Sequence, residues 1–196
     1  YVKFTNLNIH CNITNWNYAK NFRLYNNADH ITIDSCIIQQ NDNTYNQATG
    51  IAVSNSPTTI TPGQRCHDLV ITNNTIKGMD FGVGYQGQNT TTLGNKLLIE
   101  NNTFSKIDAR AIAVYYADSV TIKSNTLTDD VAWGIGFWYN NNYEISKNNV
   151  AAKTSYGLYM YRCNYYSATS SNKALVYNNF FSTGGTGRAV YAYECN

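Results

Sequence analysis

An octet, LVITNNTI, begins at Leu69 and recurs along the whole chain. It reads LLIENNTF from Leu97, VTIKSNTL from Val120, YEISKNNV from Tyr143 and ALVYNNFF from Ala174. Weaker copies stand earlier, ITIDSCII from Ile31 and VKFTNLNI from Val2. Start-to-start spacings are 29, 38, 28, 23, 23 and 31 residues, so 23 is the basic unit and the excess is insertion. Each octet is followed by a second short strand: FRLY from Phe22, GIAVS from Gly50, GVGYQ from Gly82, AIAVY from Ala111, GIGFW from Gly134, GLYMY from Gly157 and AVYAY from Ala189. A 23-residue unit of short alternating strands with no helical period cannot bury its apolar side alone. Stacked on copies of itself it can, which makes the repeat a solenoid signal. At about 4.8 Å per layer, seven layers give a rod roughly 30 Å long.

Composition removes several classes of function. The 14 basic and 12 acidic residues leave a net charge of +2, which gives no case for nucleic acid or for electrostatic attraction to a membrane. No run of about 18 apolar residues is present, so no membrane insertion is expected. The 29 asparagines and 17 tyrosines, with only two prolines, point to a β-rich surface outside the cell. Tyr1 begins directly on a coil and Asn196 stops one residue past a strand, without visible caps. A single domain spanning 1–196 is therefore expected, as a fragment continued by further coils or domains of the same chain.

The pattern VxIxNNxI…GIxVxx resembles the coils of the right-handed parallel β-helix, the pectate-lyase-like superfamily, over essentially the whole chain. The resemblance implies an all-β, right-handed parallel β-helix (solenoid) of about seven coils. It also implies that the turn asparagine points inward and forms a ladder. Asn74, Asn102, Asn125, Asn148 and Asn179 match that position, whereas Leu7 and Cys36 replace it in the first two coils. The ladder is thus expected to start at the third coil. Stacked inward amides can bond layer to layer and satisfy polar groups the turn would otherwise bury.

Members of the superfamily that act on polysaccharides use the outward face of the strand after the long turn, here the GIxV strand. Two rows of outward positions follow on this chain. One reads Arg23, Ala52, Gly84, Ala113, Gly136, Tyr159, Tyr191; the other reads Tyr25, Ser54, Gln86, Tyr115, Trp138, Tyr161, Tyr193. Insertions gather beside this strand, with 18 residues from Ile51 to Leu69, 14 from Val83 to Leu97 and 16 from Leu158 to Ala174, against 8 in the two shortest coils. Rings one layer apart can stack on one another, or they can present flat apolar faces to the C–H faces of pyranoses. The small residues of the first row predict a shallow trough beside the aromatic one. Tyr115, Trp138, Tyr159, Tyr161, Tyr191 and Tyr193 are the candidate substrate-binding residues, with a polysaccharide as the partner.

Catalysis finds less support. Glycoside hydrolysis needs two carboxyls about 5 to 9.5 Å apart, and neither outward row holds one. A calcium-assisted lyase needs several carboxylate oxygens around the ion, so the same emptiness speaks against calcium, and no cofactor or metal is expected. The nearest acids lie in the turn before the strand, at Asp80, Asp108, Asp129 and Asp130, with Arg110 and Arg188 at one shared position. Asp108 and Arg110 are the remaining catalytic candidates. The five cysteines have no metal-ligand spacing. Cys163 and Cys195 both fall six residues after the small residue opening their strand. They should stack one coil apart and form a disulfide if the protein is secreted. Glu100 with Lys123, and Arg162 with Glu194, should pair across layers.

Two functions remain open. One is a secreted or cell-surface carbohydrate-active β-helix, lyase-like or hydrolase-like in ancestry, that binds a polysaccharide along the aromatic row. The other is a non-catalytic structural or adhesive solenoid, such as a surface-protein shaft or a tailspike-like stalk.

Overall fold

A computed structural model describes residues 1–12, 19–41, 47–63, 65–164 and 173–196. In it each octet folds as strand, turn, strand, so a coil has three faces and not two. The turn residue is the first of the NN pair or its counterpart. Asn6, Ser35, Asn73, Asn101, Ser124, Lys147 and Asn178 all adopt left-handed backbone, with φ between 53 and 57°. Asparagine tolerates that region because its short polar side chain can bond locally.

The first coil comprises β1 (Val2–Thr5), β2 (Asn8–Cys11) and β3 (Lys20–Leu24); the second β4 (Ile31–Asp34), β5 (Ile37–Gln40) and β6 (Thr49–Val53). The third holds β7 (Leu69–Thr72) and β8 (Thr75–Gln86), the fourth β9 (Gly94–Glu100) and β10 (Thr103–Tyr115), the fifth β11 (Ala117–Lys123) and β12 (Thr126–Trp138). The sixth has β13 (Asn141–Ser146), β14 (Asn149–Ala152) and β15 (Tyr156–Tyr161), and the seventh β16 (Ala174–Tyr177), β17 (Phe180–Thr183) and β18 (Arg188–Tyr193). In β8, β10 and β12 the second and third faces run on as one bent strand, and the bend in β10 is a register shift between Ile107 and Arg110. Every pairing is parallel. β1, β4, β7, β9, β11, β13 and β16 form a seven-stranded sheet, and the other strands form a second sheet. The fold is an all-β, right-handed parallel β-helix of seven coils, with Leu69, Leu97, Val120, Tyr143 and Ala174 in one register column, as the octets align them.

Two inward columns build the core. Ile33, Ile71, Ile99, Ile122 and Ile145 on the first face oppose Ile38, Ile76, Phe104, Leu127 and Val150 on the second, all nearly inaccessible. Burial of each such side chain stabilises by about 1.5 to 3 kcal/mol. The turn between the two faces carries the asparagine ladder. Nδ2 of Asn74 donates to Oδ1 of Asn102 (2.9 Å), Asn102 to Asn125 (3.1 Å), Asn125 to Asn148 (3.0 Å) and Asn148 to Asn179 (2.9 Å). Cys36 extends it by one rung, its backbone N–H donating to Oδ1 of Asn74 at 2.9 Å. Its thiol turns to the Phe4 carbonyl, which corresponds to the Ile33 carbonyl that takes the Asn74 amide.

A further inward column closes the third face: Ala117, Asn140, Cys163 and Cys195, each following a left-handed residue (Tyr116, Tyr139, Arg162, Glu194). Asn140 accepts from the Ala117 N–H and donates to the Val114 carbonyl, and the Cys163 thiol points to the matching Phe137 carbonyl. Cys163 and Cys195 do stand one coil apart, but they are free thiols and not the expected disulfide. Each sulfur is oriented toward main-chain oxygens, Cys163 to Phe137 and Tyr161 and Cys195 to Tyr193. Hydrogen bonding between the two raises the Cys163 thiol and lowers that of Cys195. The cross-layer ion pairs are present: Lys123 Nζ lies 3.2 Å from Glu100, and Arg162 pairs with Glu194.

Candidate functional site

The outward side of the third face carries three rows. The two rows read from the sequence are in register, as in Ala113 beside Gly84 and Gly136, and Tyr115 beside Gln86 and Trp138. A further row precedes them: Thr49, Phe81, Arg110, Trp133, Tyr156 and Arg188. Its residues share the outward side of the sheet because the small residue that follows packs inward, although Thr49 and Phe81 are themselves buried. A Cβ on Gly82 would lie 2.6 Å from Phe104 Cδ1. The sequence phrase that opens each strand at that small residue hides the row, although the match of Arg110 with Arg188 was a trace of it.

The aromatic side chains do not form one continuous row. Tyr115 stacks on Trp138 (4.3 Å, 4°), Trp138 leans on Tyr159 (5.2 Å), and Tyr159 stacks on Tyr191 (5.4 Å). Trp133 and Tyr156 flank this group edge to face at 4.8 Å. A second group lies toward the next turn. Tyr116 stacks on Tyr139 (5.1 Å), Tyr139 meets Tyr161 edge to face (5.4 Å), and Tyr161 stacks on Tyr193 (5.5 Å, 5°). Tyr116 and Tyr139 belong to turn positions that alternation does not assign to a face. All six candidate binding residues are therefore on the surface expected for them, divided between two stacks.

The predicted trough is filled over much of its length. A Cβ on Gly136 would lie 2.3 Å from the Trp138 ring, and one on Gly84 would lie 2.3 Å from Ile60 Cδ1. The glycines make room for an indole and for a loop. That loop, part of the first insertion, is pinned by buried Ser54, whose hydroxyl donates to the Thr59 carbonyl (2.8 Å) and accepts from the Thr61 N–H (3.0 Å). What survives of the trough is a cavity of about 180 Å³ at Ala113, between Ile60 and Tyr115, with Gln47, Phe81, Gln86 and Arg110 around it. Most of the third insertion, residues 165–172, lies outside the described residues.

Arg110 is the charged group of this cavity. Its guanidinium lies 4.7 Å from the Trp133 ring centre, 5.3 Å from Trp138 and 5.7 Å from Phe81. Its Nε is buried with no hydrogen-bond partner. None of the ion pairs among the described residues includes it. Asp108 is exposed and does not pair with Arg110; it acts instead on Asp80 in the neighbouring coil, where Met79 aligns with Ile107. Burial raises the Asp80 carboxyl to about 6 against the pull of backbone N–H groups at Gln47 and Ala48, and Asp108 adds to the rise. Asp130 accepts from the Thr128 hydroxyl, and the Asp129 side chain lies outside the described residues.

A protein-family model described as "NosD: Periplasmic copper-binding protein" matches residues 6–194. No curated protein and no solved structure matches. Among the described residues the donor set does not fit the metal in that description. Divalent copper favours a square arrangement of nitrogen and oxygen donors. Among the described residues no group of three His, Cys, Asp or Glu converges, and the Nδ1 of His30 is engaged by Asp68 at 2.9 Å.

Proposed function

The chain belongs to the NosD family, a family of right-handed parallel β-helices, and from that premise we propose that it is an extracytoplasmic β-helix that binds a polysaccharide across its third face. One observation carries the proposal: Tyr115, Trp138, Tyr159 and Tyr191 line four successive coils beside Trp133 and Tyr156. Rings set one layer apart along a rod match a linear ligand lying along the rod, and tyrosine hydroxyls and indole N–H groups add polar handles. The family is described as periplasmic, which agrees with a ligand met outside the cytoplasm. No carboxylate stands in the three outward rows from Thr49 to Tyr193, so the role proposed is binding, with Asp80 and Asp108 beside the face and not on it. A polysaccharide-lyase or hydrolase ancestry agrees with the fold and adds no residue to the site.

A second function is favoured by the same contacts seen from the other side. Because Tyr115 with Trp138 and Tyr161 with Tyr193 stack face to face, the rings also stiffen the rod, as a structural or adhesive shaft requires. Affinity electrophoresis through gels containing neutral or acidic polysaccharides separates the two. Retardation is expected, and Trp138→Ala with Tyr159→Ala should weaken it at least ten-fold, the equivalent of about 1.4 kcal/mol. Retardation that survives the double substitution, or none in any gel while the double variant melts several degrees lower, assigns the rings to the shaft.

A further inference from the structure

We propose that Tyr193 is a redox-active tyrosine which, in the presence of a peroxidase and hydrogen peroxide, couples to Tyr161 as a dityrosine joining the sixth and seventh coils. Strand β15 pairs with β18 so that Tyr161 lies beside Tyr193, and their rings stack at 5.5 Å and 5°. Backbone and side chains both hold that register. The Arg162 N–H donates to the Tyr193 carbonyl at 2.9 Å, and the Arg162 guanidinium pairs with Glu194. Tyr193 is 45% exposed, so an oxidant reaches it from solvent. Its hydroxyl is hydrogen-bonded to the Glu194 carboxylate, which raises the phenol, while Arg162 first and then Tyr193 hold that carboxyl below its ordinary range. An ionised base therefore stands at the phenolic proton. A phenol gives up an electron more readily when its proton leaves in the same step, and the ion pair keeps the proton acceptor in place.

One oxidising equivalent takes an electron from Tyr193, whose proton passes to Glu194 and on to water. A second takes an electron from Tyr161, whose proton passes to water. The two phenoxyl radicals join through ring carbons ortho to their hydroxyls, and the two ring protons move to the oxygens, which restores both phenols. Hydrogen peroxide accepts the two electrons and two protons and leaves as two water molecules. Holding the rings one layer apart makes the coupling intramolecular, at an effective concentration far above that of a second chain. Two features together distinguish this pair. Tyr159 stacks on Tyr191 at 5.4 Å, but neither hydroxyl bonds to a carboxylate among the described residues. Tyr177 donates to Glu144 at 2.8 Å, but no tyrosine among the described residues stacks on it. Tyr193 has both the stacked partner and the carboxylate. This chemistry is independent of glycan binding.

The test exposes the full chain, at low concentration, to a haem peroxidase with hydrogen peroxide. Dityrosine fluorescence should rise in the monomeric protein, and mass spectrometry of a digest should find the peptides of Tyr161 and Tyr193 joined with loss of two hydrogens. Tyr161→Phe and Tyr193→Phe should each lower the intrachain yield at least ten-fold, as expected when an intramolecular partner is removed. Glu194→Gln, which keeps the shape of the side chain but not the base, should slow the reaction at least ten-fold. Cys195→Ser removes a thiol that can quench a tyrosyl radical two residues away, and it should raise the yield without moving the bond. The joined chain should melt several degrees higher, because the bond closes a loop across two coils. Cross-links found only between chains, or mapped mainly to Tyr159 with Tyr191 or to Tyr177, overturn the proposal, as does an unaltered rate in Glu194→Gln. So does the absence of dityrosine in both the full chain and Cys195→Ser while N-acetyltyrosine couples under the same conditions.

Discussion

Asn125 shows how much one polar side chain carries when it is repeated in register. Its Oδ1 accepts both the backbone N–H (3.0 Å) and the side-chain amide (3.1 Å) of Asn102, and its Nδ2 donates to Ile99, Lys123 and Asn148. Asn125→Leu strands several of these groups in the core, and each unmet buried group costs about 1 to 3 kcal/mol. Chemical denaturation should show a loss of about 3 kcal/mol or more. Asn125→Cys should cost less, because Cys36 and Cys163 occupy such inward positions with the thiol on the equivalent carbonyl. A second residue-scale prediction concerns Asp80. Its carboxyl sits at about 6 in the folded chain against an ordinary 3.8, so the folded state holds the proton more tightly than the unfolded one. The resulting stability is complete below about pH 4 and is lost as pH rises through about 6. Asp34 has the opposite sign. Hydrogen bonds from Asn73 and Thr72 hold it near 2, so its contribution is present above about pH 4 and lost on acidification. Asp80→Asn should therefore raise the melting temperature at pH 7.5 and leave it nearly unchanged at pH 3.5, which scanning calorimetry at the two pH values would establish.

Within an element, the small residue that opens each third-face strand sets how closely the faces can approach. On Gly82 an added Cβ would lie 2.5 Å from the Ala111 carbonyl oxygen and 2.6 Å from a Phe104 ring carbon. Gly82→Ala should cost about 1 to 3 kcal/mol by overpacking. Phe104→Leu should relieve part of that cost, since it removes the ring edge but not the carbonyl. A double-mutant cycle followed by urea unfolding measures the coupling, and strict additivity would mean that the backbone contact alone sets the spacing. The same bend between Ile107 and Arg110 delivers Arg110 to the solvent side with Ala113 and Tyr115.

On the scale of the molecule, each coil touches only its neighbours, so stability is nearly a sum of coil and interface terms. When residues 1–196 are studied as an isolated segment, the first and seventh coils each have a neighbour on one side. Val176 and Val190 are 43% and 51% exposed, whereas Ile145 and Leu158, one coil inward in the same columns, are fully buried. Hydrogen exchange should accordingly run from the outside in. Amides of β1 and β16 should exchange at least ten-fold faster than those of β9 and β11, and uniform protection along the rod would contradict the neighbour-only picture.

The repeat alone determined the all-β solenoid, its seven coils and their register, because each follows from side-chain alternation and from one turn residue returning at a fixed place in the unit; the asparagine ladder was implied by the resemblance to the pectate-lyase-like superfamily. It also assigned Tyr115, Trp138, Tyr159, Tyr161, Tyr191 and Tyr193 to one outward face. Which rings touch, and what the glycines beside them are for, was decided by the tertiary structure. Alternation gives the side on which a residue emerges but not the rotamer that folds Trp138 over Gly136, nor the return of an insertion that lays Ile60 on Gly84. Arg110 was legible as a charge near the strand, yet its place among Trp133, Trp138 and Phe81 depends on a register shift that no local pattern encodes. Stacking of Cys163 on Cys195 was likewise fixed by spacing, while the orientation of each sulfur toward main-chain oxygens was visible only in the tertiary structure.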